Sequence, residues 1–191
     1  MKGRIKFLGV CVFTVIFALS TAACSKQSGD SNKVYKIGDT GPAGGIVFYD
    51  RGSTGGGWRY LEAAPAGTEF RDQWGPDTNV ARTETAVGTG KRNTQFITTA
   101  LKQNGKAAYL CTSLNYNKHR DWYLPSKDEL ALMYNNLARR GLGGFTTGYY
   151  WSSSQAGNID NSNAWSMKFD NGNQGTSYKN NSCFIRAVRA F

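Results

Sequence analysis

Ten basic side chains lie between Arg82 and Arg140, at Arg82, Lys91, Arg92, Lys102, Lys106, Lys118, Arg120, Lys127, Arg139 and Arg140. Only Glu84, Asp121, Asp128 and Glu129 oppose them, so this stretch carries a net +6. Guanidinium forks hold sulfate or carboxylate groups bidentately, and lysines add point charges. Lys91, Arg92, Lys118, Arg120, Arg139 and Arg140 are therefore the candidate ligand-binding residues, and an acidic or sulfated polysaccharide is the matching ligand. The competing reading is a solvated helical surface. Catalytic chemistry has fewer candidates. His119 is the sole histidine, which excludes a zinc site built from several histidines, and it stands between Lys118 and Arg120. No serine-centred nucleophile motif is present. Val87 to Lys91 hints at a phosphate loop, but Thr85 stands where the first glycine is needed and Arg92 where Ser or Thr is needed. Asp160, Asn161 and Asn163 offer oxygens, yet calcium takes six to eight of them. No catalytic residue, metal or cofactor is assigned, and the expectation is a non-enzymatic protein.

The cysteines divide by compartment. Lys2, Arg4 and Lys6 precede an apolar run, Phe7 to Leu19, that is short for a permanent membrane helix and suits a secretion signal. Ser20-Thr21-Ala22-Ala23 then leads to Cys24. Small residues before a cysteine resemble the bacterial lipobox, although that motif prefers Leu where Thr21 stands. Cys24 is the expected lipidation site, so the chain is expected in the cell envelope, held to a membrane by its lipid at the outer membrane or cell surface. The alternative is cleavage after Ala23 that leaves Cys24 a free thiol. With Cys11 lost in the signal and Cys24 acylated, Cys111 and Cys183 remain as an even pair in an oxidising compartment. A disulfide between them is expected, the alternative being two buried, unbridged thiols. Without its signal the chain has twenty basic and thirteen acidic residues, a net +7 that favours acidic partners. Nucleic acid is not expected as a partner of an exported chain.

The elements that must position these residues follow from pattern. Residues 1–23 read as signal, 24–33 as a polar tether and 34–191 as one globular domain. Ile46 to Tyr49 and Gly57 to Glu62 have strand character around the loop Gly52 to Gly57. A first helix is expected from a cap at Asn93 or Thr94, with a stripe of Phe96, Ile97, Ala100 and Leu101, ending at Gly105. A second begins with the capping box Ser126 to Glu129, carries Leu130, Met133, Tyr134 and Leu137 on one face, and stops at Gly141. Strands return at Tyr149 to Ser152, Ala164 to Phe169 and Cys183 to Phe191. Arg186 and Arg189, three apart on that last strand, face opposite sides, so at least one is expected in a buried ion pair. Strands, two helices and strands again argue for an α+β domain, with the helices packed on short antiparallel strands.

Five ordered stretches resemble a known family. They are Lys36 to Phe48 (KIGDTGPAGGIVF), Leu61 to Pro65, Asp121 to Ser126 (DWYLPS), Tyr150 to Ser154 (YWSSS) and Arg186 to Arg189. The family is named for the C-terminal domain of the Legionella collagen-like protein. The resemblance spans roughly residue 35 to the end and implies a C-type-lectin-like fold, similar also to formylglycine-generating enzymes. It implies an adhesin-like domain for sulfated glycosaminoglycans or host matrix. An envelope enzyme or enzyme-accessory domain on the same fold is the alternative. No collagen-like repeat precedes the domain here, and Gln155 stands where Glu often follows the Trp-Ser-Ser-Ser run.

Overall fold

Two small sheets share the chain's last strands. A computed structural model describes residues 33–157 and 161–191. The signal, the lipidation site Cys24, most of the tether and Asp160 lie outside the described residues. Strands β1 (Ile46–Asp50), β2 (Tyr60–Ala63) and β8 (Val188–Ala190) form an antiparallel three-stranded sheet. The second sheet has the order β3 (Phe70–Asp72), β7 (Cys183–Ile185), β4 (Tyr149–Gln155), β5 (Asn163–Lys168) and β6 (Gln174–Tyr178). It is antiparallel except where β4 and β7 run parallel, Tyr150 beside Phe184. With helices α1 (Gly90–Leu101), α2 (Lys106–Ser113) and α3 (Lys127–Asn136), the fold is α+β. Among the described residues no helix is long and apolar enough to cross a membrane.

The second helix of the sequence reading forms as expected. Ser126 Oγ accepts the Glu129 N–H and Glu129 Oε2 accepts the Ser126 N–H, closing the capping box. A left-handed Gly141 follows the 3₁₀ turn Ala138–Arg140. The first helix starts earlier than expected, at Gly90. Asn93 and Thr94 are buried inside it: Asn93 Oδ1 accepts the Glu84 N–H, and the Thr94 hydroxyl donates to the Gly90 carbonyl. Gly105 ends one helical stretch and also opens α2, a third helix that the sequence reading lacks. Its buried face is Ala107, Ala108 and Cys111, small residues that make a weak stripe. The expected last strand is two strands in different sheets, because the chain leaves β7 at Arg186 before it reaches β8.

The core falls into two clusters. Trp74, Ile97, Trp122, Leu124, Trp151, Ile185, Cys111 and Cys183 belong to one. Phe48, Leu61, Leu130, Met133, Tyr150, Met167 and Val188 belong to the other. The expected disulfide is absent: Cys111 and Cys183 are both buried and unbridged. A bridge requires a narrow range of Cα separation and torsion. These two thiols instead fill space in one shared apolar cluster, as small hydrophobes do.

Charged pairs tie the strands to one another and to the loops beside them. Buried Glu62 accepts N–H bonds from Ala43 (3.3 Å) and Gly45 (3.0 Å) and from the Arg189 guanidinium (2.9 Å). Arg189 also reaches Asp121 Oδ1 at 2.7 Å. Glycine at position 45 is required by this approach, since a Cβ there would stand 2.5 Å from the Ala63 carbonyl oxygen and 2.9 Å from Glu62 Oε2. Arg186, 1 % exposed, donates to Glu69 Oε2 (2.6 Å) and to the carbonyls of Ala64, Gly143 and Gly144. Both arginines are thus paired, where the sequence required only one.

Candidate functional site

A cleft forms where the β1–β2 hairpin meets the start of α1. Its hairpin wall is Tyr49, Arg51 and Trp58, and its other wall is Val87, Gly88, Thr89 and Arg92. Its volume is about 380 Å³. The hairpin is closed below its tip by a bidentate pair, Arg59 Nε to Asp50 Oδ1 (2.8 Å) and Arg59 Nη2 to Asp50 Oδ2 (3.0 Å). The Arg59 guanidinium holds the Asp50 carboxyl below the usual carboxylate range. Within the loop, the Arg51 guanidinium donates to the Gly55 carbonyl and lies 5.2 Å from the centre of the Trp58 ring. Trp58 in turn leans on Tyr49, with ring centres 6.2 Å apart.

The opposite wall is set by a buried carboxyl. Glu129 Oε1 accepts the Gly88 N–H at 2.8 Å. Gly88 has φ +92°, and a Cβ there would stand 3.1 Å from the Trp58 ring, so glycine lets the loop lie against the indole. Burial is the main cause that pushes the Glu129 carboxyl up to about 7, against the backbone N–H bonds that pull it down. Ser154 Oγ ties this loop to β4 by donating to the Glu84 carbonyl (2.7 Å), and Ser153 Oγ ties the start of α3 to the same strand by donating to the Pro125 carbonyl (3.1 Å). One turn into α1, Arg92 pairs with Glu84, and both side chains are about half exposed. An exposed pair of this kind contributes only about 0–1 kcal/mol, so an incoming anion can replace Glu84. The lining holds two guanidiniums and no carboxylate, beside an indole face. That arrangement can hold a sulfate or carboxylate between the arginines while an apolar ring face packs on Trp58.

Of the six residues expected to bind, Arg92 alone lines this cleft. Lys91 is exposed next to it at the start of α1. Lys118 and Arg120 are exposed at the tight turn where Tyr116 bridges to His119. Arg139 and Arg140 are exposed at the 3₁₀ turn after α3. The six therefore stand on three separate elements. His119 is partly exposed, its Nδ1 4.0 Å from Asp121 Oδ1. Sequence reasoning missed Arg51, Tyr49 and Trp58: Tyr49 and Trp58 are read there only as strand, and Arg51 has no reading. The available signal was an arginine and a tryptophan flanking a glycine-rich loop.

The motif stretches mostly build the frame. Glu62, Asp121, Arg186 and Arg189 are spent on ion pairs, and Ser126 and Ser152–Ser154 on hydrogen bonds between elements. No curated protein matches the chain. The family description "Lcl C-terminal domain" matches residues 66–189, well over half of the 191, and the chain belongs to that family.

Proposed function

We propose that the protein is a cell-envelope lipoprotein, anchored through Cys24, whose domain is a non-enzymatic, adhesin-like module for acidic or sulfated polysaccharide. The observation that carries this reading is the cleft in which Arg51 and Arg92 flank Trp58 with no carboxylate in the lining. The excess of positive charge between Arg82 and Arg140 supports it, because it favours the approach of a polyanion to the domain. Lys118, Arg120, Arg139 and Arg140 extend the electrostatic attraction beyond the cleft.

Of the alternative, an envelope enzyme or enzyme-accessory domain, a version working through thiols is disfavoured by the cysteines themselves. Burial pushes the Cys183 thiol up to about 11 and Cys111 higher still. Thiolates are the reactive form, so neither is poised near neutral pH.

Titration with a size-defined heparin oligosaccharide tests the proposal. The wild-type protein binds at low salt. Reversing the cleft, Arg51→Glu with Arg92→Glu, abolishes binding, and reversing Arg139→Glu with Arg140→Glu weakens it by less. Heparin affinity that is absent at low salt, or unchanged by the cleft reversal, overturns the proposal. Melting temperatures of all variants accompany the titrations, because charge reversal near helix ends costs up to about 1 kcal/mol per site.

A further inference from the structure

A larger concavity lies elsewhere, on the five-stranded sheet. It encloses about 980 Å³, at the upper end of ligand-site volumes, and takes lining residues from all five strands. Topology explains it. The chain ends β6 at the sheet's edge and must reach β7, on the far side of β5 and β4. Four residues, 179–182, make that crossing. The crossing is anchored at Lys179, which is fully buried. Its Nζ donates to the Thr78 carbonyl (2.7 Å) and to Gln155 Oε1 (2.8 Å), and its carbonyl accepts the Trp74 N–H (2.9 Å). Beyond the anchor, Asn181 and Ser182 are exposed and form one wall of the groove.

The lining is chemically distinct from the arginine cleft. Tyr178, 60 % exposed, is the cross-strand partner of Asn163, so ring and amide stand side by side on one face. Thr176 follows on the same face two residues along β6. Tyr149 pairs with Lys168, five residues along β5 from Asn163, an odd spacing that places it on the opposite face of the sheet from Tyr178. Among the described lining residues Arg71 is the one formal charge, and hydroxyls and amides predominate. Such a surface does not reward a polyanion. Flat amphipathic rings flanked by amides and hydroxyls match sugar rings, which present C–H faces and hydroxyl edges.

We propose that this groove binds an uncharged glycan. Tyr178 stacks one pyranose ring, and Asn163, Asn181 and Ser182 exchange hydrogen bonds with its hydroxyls. The anchored crossing holds the wall in place before the ligand arrives, which limits the ordering cost of binding. The site is independent of the arginine cleft and does not rest on it.

The experiment applies the full chain, in a detergent without sugar headgroups, to an array of uncharged oligosaccharides that also carries unrelated peptides and heparin. Maltohexaose, cellohexaose, chitohexaose and mannan fragments are included. The expected result is binding to at least one uncharged glycan that persists to about 0.5 M salt, where screening removes charge-driven binding. Tyr178→Ala and Asn181→Ala, both at exposed positions, lower that affinity by about tenfold, whereas Tyr178→Phe retains most of it. Arg51→Glu with Arg92→Glu leaves it unchanged while removing heparin binding. No uncharged glycan bound, peptide binding alone, or glycan binding indifferent to Tyr178→Ala overturns the proposal. Near-ultraviolet circular dichroism checks that each variant remains native, and Asn181→Ala decides only if Tyr178→Ala fails to fold.

Discussion

Glu129 makes stability fall as pH rises through neutrality, and Glu129→Gln should remove that dependence. The carboxyl is fully buried under the loop of Gly88 and the start of α3. Burial raises it from 4.5 to about 7. In the unfolded chain the group loses its proton near its ordinary value, so between those two pH values the folded protein holds a proton that the unfolded chain has released. The stabilisation is therefore complete below pH 4.5 and lost as pH climbs through about 7. At about 1.4 kcal/mol per pH unit the span amounts to about 3 kcal/mol. Urea unfolding at several pH values between 4.5 and 8, for wild type and Glu129→Gln, measures it. The wild-type free energy of unfolding should decline relative to the variant across this window, by an amount of that order. Parallel curves, or a wild type that gains on the variant as pH rises, would refute the reasoning. The second result would mean that the Gly88 and Ser126 N–H groups hold the carboxylate ionised more strongly than burial opposes it.

Arg189→Met strands Glu62, which is fully buried, and should cost about 3–5 kcal/mol in thermal or urea unfolding, with Glu62→Gln in the same chain restoring part of the loss. Cys111 and Cys183 should both be alkylated in unreduced, denatured protein and resist alkylation in the native protein; a linked peptide in non-reducing mapping would contradict this. Glu84→Gln frees Arg92 and should raise affinity for a heparin oligosaccharide at low salt by up to about fivefold, read by calorimetry; a loss of affinity would show that Glu84 orients Arg92 instead of competing for it. Intact mass spectrometry of membrane-extracted protein should show a lipid adduct on a chain starting at Cys24, and a free thiol there in the soluble fraction would contradict the anchor.

Local chemistry was legible where one short pattern sufficed. The α3 cap needs only Ser126 and Glu129 three apart, and the helix formed with both bonds made. Helix α2 was invisible because its buried stripe is Ala107, Ala108 and Cys111, too small to stand out from a polar segment. The Cys183 to Phe191 run has strand composition throughout, yet Arg186 meets three carbonyls from two other segments where the run divides between two sheets. Cysteine parity suggested a bridge, but parity carries no geometry. The cleft was legible only in part. Counting charge found Arg92, whereas Arg51 and Trp58 come from a hairpin more than thirty residues upstream. Their approach depends on Gly88 lying against the indole, a tertiary fact that no local spacing encodes. The motif stretches are conspicuous in sequence because they splice the frame together, and the charged cleft lies mostly outside them.

The most direct measurement of the central claim is the salt dependence of heparin-oligosaccharide binding for wild type and for Arg51→Ala with Arg92→Ala. Each cation that meets a sulfate or carboxylate releases counterions, so the logarithm of affinity falls with the logarithm of salt in proportion to the contacts made. The account predicts weaker binding by the variant at every salt concentration and a slope shallower by about two contacts. An identical slope and affinity in the two proteins would contradict it, and would place the polyanion away from the cleft.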